Sequence, residues 1–328
     1  RDWSVTGVQT CALPISVEVA RRTVQTRTRK LGLFTKAMVA KEQIDLNGNN
    51  VATDSFDSSN PLYSTNGLYD PNPAKRRDNG DVATNSGLVN SLDVGNANIW
   101  GRASTGPGGS VSVGPMGAVG SKAWNQAGNK GVEPGWSADD MNVAFPDVEL
   151  PFTSGFSPAG GTLGGVWYKY LLTTGDYVMD DLKMASSDKL YASGAVRLYV
   201  KDELDIKGSA RIIVGPASSL KIYMGGSSAS IGGNGVMNLA GNALNFAYFG
   251  LPSNTYLKFA GNGEFTGVIY APSADFDLKG GGSGVQDFIG ASVSRTVTMN
   301  GHFKFHYDEY LGNSIYSRGY QAISWDEL

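Results

Sequence analysis

The only two histidines of the chain, His302 and His306, stand four residues apart, with Asp308 and Glu309 close behind them. On a helix, that spacing would place two imidazoles on one face, where they could share a metal ion. Here Phe303 and Phe305 alternate with Lys304, which is a strand pattern. Two strand residues four apart share a face but lie roughly 13 Å from each other, too far for one ion. The segment therefore reads as an end closure. Phe303, Phe305, Tyr307 and Tyr310 would cap an apolar interior, with polar groups satisfying its last edge.

Carboxylates come next, because paired acids cleave glycosidic bonds. Glu203/Asp205 and Asp275/Asp277 are i, i+2 neighbours, about 6.6 Å apart on a strand. Glycoside hydrolysis uses separations of roughly 5 to 9.5 Å, so both pairs are within range. A strand with one solvated face produces such pairs without any catalytic purpose, and that is the simpler reading. Asp45-Leu-Asn-Gly-Asn49 offers oxygen ligands at alternating positions, as in a calcium loop. It has no glycine at residue 50 and no glutamate at residue 56, where Phe56 stands, so it departs from the EF-hand pattern. Asp54 and Asp57 are candidates either for calcium or for Asx-turns. No P-loop, dinucleotide fingerprint or nucleophile elbow is present. No catalytic, cofactor-binding or metal-ligating residue is assigned, and the reading is of a protein that is not an enzyme.

The elements that would position these residues are written in glycine. The chain has 44 glycines but only 13 prolines among 328 residues, with 41% hydrophobic residues and a net charge of −3. The apolar content excludes a disordered linker, and the charge gives no case for nucleic acid. A five-residue unit, apolar–polar–apolar–any–Gly, recurs at Leu204, Met237, Leu257, Phe276 and Val297, with a longer variant at Leu220. Successive starts lie 16, 17, 20, 19 and 21 residues apart. Because residues i and i+2 of a strand face the same way, Leu204/Ile206, Leu220/Ile222, Met237/Leu239, Leu257/Phe259, Phe276/Leu278 and Val297/Met299 are expected to stack inward. The closing glycine would turn each corner. A second apolar stretch, such as Arg197-Leu-Tyr-Val200 or Gly267-Val-Ile-Tyr270, precedes most units. At least two strands and two corners per period predict an all-β fold, a right-handed parallel β-helix or β-solenoid. An antiparallel sandwich is the competitor, but it does not explain the return of one unit at full-coil spacing.

Residues 191–311 are expected to hold the β-helix, residues 151–190 a linking or bridging segment, and residues 312–328 a tail. Residues 44–150 read as irregular β-rich coils with long loops; within them Leu92-Asp-Val-Gly95 and Val111-Ser-Val-Gly114 look alike. Residues 16–43 carry seven basic residues against two acidic ones, and their apolar spacing predicts a short basic helix. Residues 1–15, which include the sole cysteine, Cys11, resemble a translated sequencing-adapter scar and are set aside. Without Cys11 no disulfide or cysteine-based zinc site is possible.

Phe265-Thr-Gly-Val-Ile-Tyr-Ala-Pro-Ser-Ala-Asp275, with Gly280-Gly-Gly and the closing Val297-Thr-Met-Asn-Gly-His-Phe-Lys-Phe-His-Tyr-Asp-Glu309, resembles an uncharacterised family of pilin-related (PilX-like) bacterial envelope proteins. Asp54-Ser-Phe-Asp-Ser58 and Ile323-Ser-Trp-Asp-Glu-Leu328 also look like that family. The glycine-punctuated coils are similar, more generically, to bactofilins, which polymerise end to end. The resemblance implies a membrane helix upstream of this chain, missing from the fragment, and an envelope location on the periplasmic or extracellular face. It also implies pilus or envelope proteins, or surface glycans, as partners, and transfers no catalytic residue. The leading expectation is a non-enzymatic structural or adhesive protein. A polysaccharide-cleaving lyase or glycosidase is the alternative, and a bactofilin-like scaffold the third.

Overall fold

The computed structural model describes residues 5–7, 23–47, 50–261, 263–280, 286–300 and 302–327. The described chain is all-β, as the sequence predicts; its one α-helix is the five-residue Lys122–Gln126. Twenty-four strands join into one network of hydrogen-bonded pairs, and every register in that network is parallel.

The pairs sort into three columns. The first column runs through Tyr170–Leu172, Lys189–Ala192, Arg211–Val214 and Val236–Asn238, then through the starts of Phe265–Gly280 and Gln286–Asn300 to Phe303–Asp308. The second runs through residues 175–179, 196–200, Ser219–Met224 and Phe246–Gly250, and then residues 268–271 and 292–294. The third comprises residues 181–184, 203–206, Ser228–Ile231 and Tyr256–Gly261, followed by residues 275–280 and 296–299. Each pass of the chain visits the three columns in that order and then steps up to the next layer, about 4.8 Å higher.

The stack does not end at Phe303–Asp308. Its upper edge pairs with Ala52–Phe56, while Met38–Ala40 and Ile44–Asp45 pair with residues 292–294 and 297–298. One layer is thus made from both ends of the chain. Above it, Val82–Thr84, Leu92–Gly95 and Asn98–Trp100 continue the columns, followed by Ala103–Ser104, Val111–Val113 and Ala118–Gly120. The similarity of Leu92–Gly95 to Val111–Val113 reflects direct pairing, Leu92 to Val111 and Asp93 to Ser112. From Ser137–Ala138 at the top, residues 139–169 run back down the outside of the stack. Val143 bonds Asn85, Pro146 accepts from the Tyr270 hydroxyl, Phe152 meets Tyr223, and Phe156 bridges Tyr177 in the bottom layer.

This path corrects the end-closure reading of Phe303, Phe305 and Tyr307. Their strand lies inside the stack with Gln286–Ile289 on one edge and Ala52–Phe56 on the other, and Tyr310 is exposed. The expected bridging segment includes two strands of the stack, Tyr170–Leu172 and Gly175–Met184, which form its bottom layer.

The inward residues form one apolar core. Leu204/Ile206, Leu257/Phe259, Phe276/Leu278 and Val297/Met299 are buried in the third column, as their alternation predicts, and Leu220/Ile222 are buried in the second. Met237 and Leu239 are not: they are 39% and 50% exposed. Val236 takes the inward place opposite Ile212, so Met237 faces out, the flip that a one-residue shift imposes on a strand. The missing member of the third column is Ala229/Ile231, whose small, serine-flanked residues give a weak signal. Phe265, Phe288 and Phe305 stack at 4.4 and 4.2 Å between centroids in successive layers.

The expected basic helix is a strand in its described part. Val24–Gly32 pairs antiparallel with Ser317–Glu327 and, over its first residues, with Val5–Gly7. β-Branched Thr26 and Thr28 alternate with Gln25, Arg27 and Arg29, and that period of two outweighs the helical spacing of the apolar residues. Residues 16–22 lie outside the described residues, as do 48–49 of the calcium-like loop and most of residues 1–15.

Candidate functional site

The composite layer carries a dense polar cluster. His306 faces away from the apolar core, yet it is only 2% exposed, because the loop between Phe56 and Val82 folds over it. Its register partner is Asp54, on the N-terminal strand above. Nδ1 of His306 lies 2.5 Å from Asp54 Oδ1, and Nε2 lies 3.2 Å from Asp287 Oδ1. An ionised carboxylate only accepts. A carboxylate at each ring nitrogen favours the doubly protonated ring. Burial opposes that charge, and the attraction of Asp54 with the bonds to Asp287 and Asp54 overcomes it, so the pKa of His306 lies above its ordinary value. Burial pushes Asp287 up most, but His306, Lys304 and Arg76 together hold it below the ordinary carboxylate value.

The covering loop completes the cluster. Arg76 bonds the second oxygen of Asp54 through Nε and stacks over Trp100 at 4.2 Å. Tyr69 lies flat against the His306 ring, with centroids 3.8 Å apart, and its hydroxyl also meets Asp54. Burial beside the Asp54 charge raises the Tyr69 pKa far above a free phenol's, so it stays a neutral donor. The loop approaches this closely because Gly80 has no side chain; a Cβ there would lie 2.8 Å from the Asp54 backbone. Next to it, Glu309 accepts from Ser55 Oγ and Asn79 Nδ2 and pairs with Arg77 at 2.9 Å. Asp308 accepts from the backbone of Ser58 and Tyr310, while burial raises its pKa.

His306, Asp308, Glu309 and Asp54 thus converge on one seam, and His302 stands apart, 3.4 Å from the Asn50 amide. Chemically the seam is a lock. His306 and Asp54 are sealed from solvent, and Asp54, Asp287 and Glu309 each already face a cationic side chain. Asp57 makes an Asx-turn, accepting from Ser59 N and Oγ. Sequence spacing could not show the seam, since His306 and Asp54 are 252 residues apart.

The carboxylates of the third column face outward. Lys183 pairs with Glu203 at 2.7 Å, Lys207 with Asp205 at 2.8 Å, Lys279 with Asp277 at 2.9 Å and Arg295 with Asp275 at 2.5 Å. Tyr256 and Thr296 donate further bonds to Asp277 and Asp275. Around them is a shallow depression of about 300 Å³, lined also by Asp45 and Thr298. Burial and then the neighbouring Asp93 raise the pKa of Asp45.

Residues 163–314 match the family described as Domain of unknown function (DUF7305). The match covers the rising part of the stack through Phe303–Asp308 and leaves out the N-terminal strands that cover that edge. No curated protein and no solved structure matches the chain. Among the described residues, no helix is long and apolar enough to cross a membrane.

Proposed function

We propose that the chain folds as a right-handed parallel β-helix and serves as a non-enzymatic structural or adhesive component of the bacterial cell envelope. The observation that carries this reading is the state of the outward carboxylates. Both acid pairs spaced for glycoside cleavage are held by cations, Lys183 and Lys207 on one and Lys279 and Arg295 on the other. A carboxylate already holding a cation is not free to pass a proton to a leaving group. The three parallel columns support the β-helical part, since one crossover sense repeated layer after layer favours the right hand. A uniform stack with ion-paired faces is suited to holding and presenting a surface. Its placement in the envelope, with pilus or envelope proteins as neighbours, rests on the resemblance of the 265–309 segment.

The enzymatic alternative has one feature in its favour, the depression bordered by Asp275, Asp277, Arg295 and Tyr256. Incubating the full chain with neutral and acidic polysaccharides and following reducing ends and unsaturated uronates separates the two readings. No product is expected; turnover abolished by Asp277→Asn would sink the structural reading.

A further inference from the structure

We infer that the outward face of the first column, around Arg211 and Gly235, is a binding site for a hydroxylated carboxylate of the uronic-acid type.

Arg211 differs from the other arginines of the stack. Arg76, Arg77, Arg197 and Arg295 are ion-paired, and Arg102 is stacked on Trp136. Among the described residues Arg211 has no such partner, and its Nε is buried without an acceptor. A buried donor left unmatched is costly. In register one layer below stands Lys189, so two cations without ion pairs lie side by side, ~4.8 Å apart by strand spacing.

The layer above explains why Arg211 is unmatched. Val236 pairs with Ile212 below and Phe265 above, so Gly235 falls between Arg211 and Glu264. Gly235 has φ +61 and no side chain. A Cβ there would point at the buried ring of Phe259, 3.3 Å away, so this position sends no partner outward, and beside it lies a depression of about 400 Å³ lined by Arg211, Asn234, Met237, Glu264 and Thr266. Two layer steps, roughly 9.6 Å of backbone, separate the guanidinium's strand from that of the carboxylate. A ligand bridging this gap needs an anionic end for Arg211 and Lys189, where a carboxylate takes the guanidinium fork. It needs hydroxyl donors for Glu264 and an apolar face for Met237. A hexuronate ring has all three. A simple dianion does not, because Glu264 repels its far end.

The test is saturation-transfer NMR and titration calorimetry on the full chain, with sodium galacturonate against galactose and acetate. Galacturonate is expected to bind, weakening as salt rises, while galactose and acetate give at most a trace. Arg211→Ala should weaken it roughly tenfold or more, and Arg211→Lys should keep part of the affinity. Glu264→Ala should weaken galacturonate but leave acetate unchanged. Equal binding of galactose, no binding of galacturonate, or full affinity in Arg211→Ala with an unchanged melting curve would each overturn the site. Cleavage of a uronate polymer would count against the structural reading above and leave this site standing.

Discussion

The rising half of the stack, residues 170–308, and the half built from residues 38–138 share three columns but are made differently. The rising half uses strands of up to 16 residues, such as Phe265–Gly280, that pass through more than one column. Its interior is aromatic, with Phe246, Phe265, Phe288 and Phe305 packed in contact. The other half uses strands of two to five residues over a smaller interior of Val82, Leu92, Ala97, Ile99, Ala103 and Val119. Its long loops carry polar work in place of the repeat. The rising half thus holds the larger apolar side chains, and the other half is added along its upper edge.

Breaking the aromatic ladder tests the rising half. Phe288→Ala removes the middle ring of three, and a loss of about 3–5 kcal/mol is expected in urea unfolding. The seam that joins the halves comes next. Asp54→Ala leaves His306 and Arg76 without their shared carboxylate, at a cost of about 3 kcal/mol. Proteolysis should then cut residues 57–81 and the N-terminal strands before the rising half. An intact N-terminal half in that variant would show that the lock is not what joins the two.

In the half built from residues 38–138, Ile99→Val should cost about 1 kcal/mol. The seam also predicts a pH dependence. The folded pKa of His306 lies above its ordinary 6.5, so its contribution is complete below that value. As pH rises the unfolded chain loses the proton first, and the contribution is gone above the folded pKa. The melting temperature should therefore fall as pH rises above about 6.5, with a shallower slope in His306→Gln. A slope equal to wild type would mean that another group titrates. Smallest of all is Lys207→Ala on the third column, where an exposed pair is expected to leave the melting temperature unchanged.

How much of this was legible follows the same division. Leu257/Phe259, Phe276/Leu278 and Val297/Met299 declared their inward faces because large apolar residues alternate on long strands. Ala229/Ile231 did not, since alanine between serines carries little hydrophobic contrast. Met237 misled because the apolar run Val236-Met237 fits either register, and only pairing with Ile212 decides which residue turns in. The threonine alternation at 26 and 28 was present but masked by basic residues. The seam was closed to sequence reading altogether. Asp54 and His306 meet only because the N-terminal strands return to cover the edge of Phe303–Asp308.

The pairing of Val24–Gly32 with Ser317–Glu327 sets Val24 opposite Glu327. The base of that ribbon meets the body at Phe34 and Phe249 through Tyr316, beside the composite layer and between the two poles of the stack. A force applied to either strand of that ribbon would therefore reach the body between its two poles.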